Sequence, residues 1–215
     1  MSRPATLTRE RIIETAAALA EREGADHVTV RALGEALGCD PTALYRHFRN
    51  VDELHRAVGD HFLASVDVAP RPREAWRAAV RRLCIELRNA QLRQPRLAAF
   101  VRAAPTRLTN ELAITEALLR ELRKGGFKPV AAARAYHSLV ELTVGSAAID
   151  APIADLPTAV RAATYRRWRN DYSALDATQF PSAVDVSKHL YSGTADERFA
   201  DALDLMLTGL VALRR

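Results

Sequence analysis

The chain has 215 residues, 48% hydrophobic and 27% charged, with a formal net charge of +5 and two cysteines, Cys39 and Cys84. That apolar fraction is enough for a core and excludes wholesale disorder, while two cysteines exclude a disulfide scaffold and suit a reducing compartment. No apolar run approaches the roughly 18–20 residues of a membrane span, and the opening residues lack the apolar stretch of a secretory signal. The expectation is therefore a soluble, cytoplasmic protein with no membrane partner.

The sequence pI of about 9.6 invites a nucleic-acid reading, but the charge is uneven. Residues 1–70 carry 8 Arg and 11 acids, residues 71–134 carry 15 basic and 5 acidic side chains, and residues 135–215 carry 8 and 10. The basic middle segment reads first as a solvated, arginine-rich helix face, with an anion-attracting surface as the alternative.

Apolar residues recur at helical spacing almost throughout, with no sustained alternation of the kind strands require. A first helix starts after Thr8, a good N-cap, and runs through Ile12, Ala16 and Ala20 to Gly24. A short second one follows Thr29 and ends at Leu37-Gly38. Asp40-Pro41 opens a third, because Pro loses nothing at a first helical position. Asn50-Val-Asp-Glu53 resembles a capping box, with Glu53 expected to reach back to the cap. The helix it opens carries Leu54, Val58 and Phe62 and gives way to a hinge at Pro70 and Pro72. Beyond the hinge, helices are expected from about Glu74 to Gln94, through Leu97–Val101, from Asn110 to Gly125, and from Pro129 to just before Pro152. Another is expected from Arg161 to Tyr172. Residues 174–193 read mostly as loop, and Thr194-Ala-Asp-Glu197 is a second capping box that starts the final helix.

The informative stretch is 29–48. Two short helices separated by Gly38-Cys39-Asp40 have helix-turn-helix spacing, in which the first braces the second and the second offers its outward edge to a major groove. Leu33, Leu37, Leu44 and Phe48 would bury the seam. Thr42, Tyr45, Arg46 and His47 would then point away from it, and Arg31 would project from the first turn of the brace. Tyr and His can bond phosphate oxygens, and Arg can read guanine with two hydrogen bonds. The plainer reading makes Tyr45 and Phe48 ordinary core aromatics.

The block from Thr29 to Leu54, with its Leu-Tyr-Arg-His-Phe core and the following Asn50 and Leu54, resembles the DNA-binding domain of TetR-family regulators. Trp76, Gly126-Phe127, Thr143-Val-Gly145 and the Phe199–Leu210 helix are similar to the tetracycline-repressor branch. The resemblance implies an all-α homodimer: an N-terminal three-helix helix-turn-helix domain plus a larger C-terminal helical ligand-binding and dimerisation domain. The corresponding division is 1–50 for the head, 51–70 for a connecting helix and hinge, and 71–215 for the body. By family position Thr29, Arg31, Thr42, Tyr45, Arg46 and His47 inherit contacts to double-stranded operator DNA. Val51 stands where the family often has a phosphate-binding lysine. The implied function is a repressor released from a pseudo-palindromic operator by a small-molecule effector.

The same resemblance sets Leu83, Val101 and Ile149 where the tetracycline-binding branch has an Asn, a His and an acid. A hydrated magnesium ion needs oxygen ligands, so tetracycline–magnesium is not the expected effector. Leu83, Leu87, Val101, Leu118, Tyr136 and Val140 suggest an apolar pocket with His137 as a polar fixture, suited to a hydrophobic molecule. Ordinary core packing is the plainer account of each. Catalytic and metal signatures such as G-x-S-x-G, H-E-x-x-H, C-x-x-C or a P-loop do not occur, so no enzyme, metal or cofactor is expected. The alternative function is a helical small-molecule-binding protein or enzyme that no longer reads DNA.

Overall fold

The structure is a computed structural model that describes residues 7–154 and 156–214. Residues 1–6, part of the segment in which no secretory signal is expected, lie outside the described residues. All regular structure among the described residues is helical, and none of these helices is long and apolar enough to cross a membrane.

The head is built from α1 (Arg9–Glu23), α2 (Val30–Leu37) and a 3-10 segment, Pro41–Arg46. Thr8 Oγ1 accepts from the Arg11 amide to start α1, and Thr29 Oγ1 accepts from Ala32 N to start α2. Gly38, at φ 65°, ends α2 in the left-handed conformation that glycine adopts without a Cβ penalty. Helix α3 (Val51–Leu63) joins head to body, and Asn50 Oδ1 accepts from Glu53 N as its cap. The second half of the expected capping box shifts by one residue: Glu53 Oε2 accepts from Arg49 N rather than from Asn50.

The body comprises α4 (Trp76–Arg93), α5 (Pro95–Ala103), α6 (Thr109–Lys124), α7 (Pro129–Ala154), α8 (Thr158–Ser173), α9 (Pro181–Val186) and α10 (Ala195–Leu210). The Thr194–Glu197 capping box at α10 forms in full. One expectation needs correction. Helix α7 does not stop before Pro152 but includes it, because a proline two residues from the end removes only one terminal hydrogen bond. Ala148, whose carbonyl that bond would have used, is exposed to water. The 174–193 stretch is mostly loop, as expected, with one short helix, α9, that Pro181 opens from its first position.

One continuous apolar core runs from Ile12, Leu33 and Phe48 in the head through Val58 and Phe62 of α3 to Leu118, Leu139, Leu203 and Leu207 in the body. Trp76 is half-buried against this core: its ring packs on Gly125, meets Phe127 edge-on at 5.3 Å, and is covered by the Arg214 guanidinium at 4.6 Å.

A charge is also buried there. Arg88 of α4 is 1% exposed and donates to Asp150 Oδ2 of α7 at 2.6 Å, Asp196 Oδ1 of α10 at 2.6 Å, and Ser146 Oγ at 3.1 Å. Its guanidinium also lies over the Phe199 ring at 4.9 Å. Removing Asp150, the more buried of its two carboxylates, leaves the enclosed guanidinium only the exposed Asp196 as an anionic partner among the described residues. Asp150→Ala is expected to lower unfolding stability by about 3 kcal/mol in urea titration. Arg81→Ala, which breaks a half-exposed pair with Asp204, is expected to cost under about 1 kcal/mol.

Candidate nucleic-acid interface and effector core

The outward edge of the head is shaped by a close approach at its seam. A Cβ added to Gly34 of α2 would sit 2.8 Å from Pro41 Cγ, 3.1 Å from Pro41 Cα and 3.1 Å from the Cys39 carbonyl. The absence of a side chain at 34 therefore lets the turn and the recognition segment close against α2. That segment is 3-10 rather than the α-helix expected from sequence. Asp40 Oδ1 accepts from both the amide and the hydroxyl of Thr42, and the following bonds, Ala43 N to Asp40 O and His47 N to Leu44 O, are of the i to i−3 kind. With only Leu44 of the segment buried, one turn of side chains is left facing out.

Of the six residues proposed from sequence, Thr29, Arg31, Thr42, Tyr45 and Arg46 are exposed, and His47 is half-buried. The Tyr45 ring is 54% exposed, which sets it apart from the core aromatics. Phe48 is buried, as its seam role requires. The Arg31 side chain is 88% exposed and pairs with Glu35 on its own helix at 3.1 Å. Thr29 Oγ1 is engaged in capping α2. Arg9, a residue the sequence reading did not single out, holds the far end of the recognition segment. Its Nη1 donates to the His47 carbonyl at 2.7 Å and to Glu53 Oε1 at 3.2 Å, and its guanidinium lies 4.2 Å from the Phe48 ring centre.

In the body, Leu83, Leu87 and Leu118 are buried, while Val101, Tyr136 and Val140 are half-buried against the same core. Tyr136 Oη pairs with Thr115 Oγ1 at 2.9 Å. His137 departs from expectation: it is exposed on α7, its ring edge against Tyr136. Helical geometry explains this, since adjacent residues point about 100° apart and Tyr136 takes the inward direction. The buried polar group is instead Gln91, fully enclosed, whose Nε2 donates to the Leu87 carbonyl while Oε1 has no hydrogen-bond partner among the described residues. Its i+4 spacing from Leu87 was the sequence signal that could have found it. A cleft of about 760 Å³ opens elsewhere, between Val28 and Val30 of the head, His55 of α3, and Phe100 and Ala103 of α5.

Among the described residues no cluster of three His, Cys, Asp or Glu side chains converges, and the side chains of Leu83 and Val101 offer only carbon. Burial pushes the Cys84 thiol up to about 12, which leaves it an inert core group.

Two expectations follow for the head. Gly34→Ala should lower its stability by about 1–3 kcal/mol, because backbone and a proline ring cannot swing aside; thermal melting and DNA binding would both register it. Hydrogen bonds from the Thr42 hydroxyl and amide hold Asp40 below its ordinary carboxylate value of 3.8, and the Arg49 amide and then Arg9 do the same for Glu53 below 4.5. Both carboxylates favour the folded state above those ordinary values, and their contribution is lost as pH falls through the depressed folded values. Melting temperature measured from pH 6 to pH 3 should therefore fall at the acid end, less steeply in Asp40→Asn, which keeps a capping oxygen but does not titrate.

Comparison with known proteins matches residues 12–58 to the family described as bacterial regulatory proteins, tetR family, and residues 69–214 to the tetracyclin repressor-like C-terminal domain. Tetracycline repressor protein class C of Escherichia coli is 28% identical over 211 residues, covering 97% of this chain and 92% of that protein. Among solved structures, apo ActR from Streptomyces coelicolor aligns with a TM-score of 0.84 at 28% identity, over 100% of this chain and 98% of that one. ActR in complex with actinorhodin aligns with a TM-score of 0.86 at 28% identity, over 97% and 98%. With both halves of the chain matched, the one carrying the helix-turn-helix and the one carrying the helical body, the protein belongs to the TetR family of transcriptional regulators.

Proposed function

We propose that this regulator is a homodimeric repressor that grips a pseudo-palindromic operator with Thr29, Arg31, Thr42, Tyr45, Arg46 and His47 and lets go when a mostly hydrophobic small molecule enters its body. The observation that carries the DNA reading is the joint exposure of Tyr45 and of the Arg31 side chain, whose guanidinium is held by the equally surface-lying Glu35. An aromatic ring left in water on a segment braced at both ends is a group held for a partner, and a phosphate backbone with base edges supplies acceptors for both side chains. The head, residues 1–50, carries 7 Arg and 7 acidic side chains, so its affinity depends on these placed contacts more than on bulk attraction to phosphate.

Dimerisation is supported by apolar side chains left in water on the body's outer helices: Ile149 of α7 is 78% exposed and Leu205 of α10 is 76% exposed. Pairing α7 and α10 with their counterparts would cover both and set two heads one helical repeat apart. An organic effector is supported by the apolar stripe of Leu83 and Leu87 ending at the unpartnered Gln91 oxygen, and by the related ActR having been solved with actinorhodin bound. A buried acceptor with no donor is costly in the empty protein, and an effector carrying a hydroxyl or N–H would satisfy it. The same carbon-lined stripe argues against tetracycline–magnesium as that effector.

Arg31→Ala and Tyr45→Ala are each expected to weaken binding to a duplex from upstream of the protein's own gene by roughly ten- to hundredfold, at about 1–3 kcal/mol per lost contact, with helicity unchanged. Leu205→Asp is expected to yield a monomer in sedimentation and to abolish that binding. Native affinity in both head variants would overturn the assigned contacts, and a strictly monomeric wild-type protein would overturn the operator geometry. Native mass spectrometry of the purified protein would reveal a carried-through ligand.

A further inference from the structure

Helix α8 carries Tyr165, Trp168 and Tyr172 at i, i+3 and i+7, a spacing that sets all three rings on one helix face. A packed core is the ordinary destination of such a stripe, yet of the three only Tyr165 is buried, and Trp168 and Tyr172 are half-buried. A fourth ring, Tyr191, comes from the segment between α9 and α10 and gathers the others. It stacks on Tyr165 at 6.1 Å with 13° between planes, meets Trp168 at 5.1 Å and 59°, and meets Tyr172 at 6.2 Å and 39°. The inclined rings enclose space rather than fill it: Trp168, Tyr172, Tyr191 and Asp171 line a cavity of about 200 Å³.

Tyr191 is held there against its backbone preference. Its φ of 53° lies in the left-handed region, which a bulky side chain adopts only where its surroundings over-determine it. Arg169 Nη1 donates to its carbonyl at 2.8 Å, and the Tyr165 ring backs it. The cluster already carries one cation, since the Arg198 guanidinium lies 4.4 Å from the Tyr165 ring centre. Among the described residues no guanidinium or ammonium lies over the three rings of the cavity, and Asp171, exposed at its rim, has no hydrogen-bond or ion-pair partner. Burial, and after it the neighbouring Tyr172 phenol, push Tyr191 above its ordinary value, so that phenol stays neutral.

We propose that this aromatic box binds a small organic cation, a quaternary or methylated ammonium group, seated against Trp168, Tyr172 and Tyr191 with Asp171 as its counter-charge. The negative faces of aromatic rings attract such a cation, and indole attracts it most strongly. A metal ion finds one carboxylate here where it needs several oxygen ligands, and a neutral apolar molecule gains nothing from Asp171. The cavity is smaller than the roughly 300–1,000 Å³ that holds a drug-sized ligand, which suits a head group. The site shares no residue with the Leu83–Leu87 stripe, and it does not depend on the regulator reading.

The test is calorimetric titration of the full-length protein with choline and, separately, with its neutral isostere, in which carbon replaces the quaternary nitrogen. Choline is expected to bind in the millimolar range and the isostere at least about tenfold more weakly. Trp168→Leu and Asp171→Asn are each expected to weaken choline binding about tenfold. Asp176→Asn, at an acid that does not line the cavity, is expected to leave it unchanged. Asp171 is exposed, so its variant decides the point even should Trp168→Leu not fold. Equal affinity for choline and the isostere, full choline affinity in Asp171→Asn, or no choline binding by the wild type would reduce the cluster to an apolar staple on α8 and overturn the proposal. Were the wild type to ignore choline while Trp168→Leu turned a dimer into a monomer in sedimentation, the box would hold a side chain of a second copy, and the free cation would be ruled out.

Discussion

A guanidinium enclosed in a helical bundle must be met by anions, and in this protein that requirement organises the body. Arg88 brings α4, α7 and α10 to one point through Asp150, Ser146 and Asp196. The arrangement cannot be repacked piecemeal, because each alternative leaves a charge buried without its counterpart. With those three helices pinned, the outer faces of α7 and α10 are presented in a definite relation, and so are Ile149 and Leu205 upon them. The same three helices also share the apolar core, through Leu83, Leu139, Leu203 and Leu207.

The head uses a different device. It is small and its recognition segment is a single 3-10 stretch, which by itself has poor hydrogen-bond geometry and little length. Its shape is imposed from both ends: Asp40 and the Gly34–Pro41 contact fix the beginning, and Arg9 clamps the His47 carbonyl, Phe48 and Glu53 at the end. Side chains between these fixtures need not pack to stay in place, which leaves Tyr45 and Arg46 in water.

Much of this was legible before any coordinates, for reasons of local chemistry. Thr8, Thr29, Asp40, Asn50 and Thr194 announce helix starts because their side chains bond amides two or three residues on, and each does so in the structure. Gly38 announces a stop because only its backbone takes the required φ cheaply. The periodic apolar positions specify an all-helical fold, and the Leu-Tyr-Arg-His-Phe block lies within the segment that matches the family.

What sequence spacing does not carry is direction in space between distant segments. His137 and Gln91 are both polar residues on largely apolar helices, and which one is enclosed depends on how α4 and α7 rotate against their neighbours. Arg9, Arg88, Arg96 and Asp60 look like ordinary members of charged surfaces, because their partners lie 38 to 108 residues away. The close approach of Gly34 to Pro41 likewise joins two elements that local propensity treats separately. The sequence by itself determined the helices, their ends and the outward-facing block, since these are settled within a few residues by hydrogen bonding and periodicity. Only the tertiary structure decided which charges are buried and which helix ends they cap, because that choice is made by packing between elements far apart along the chain.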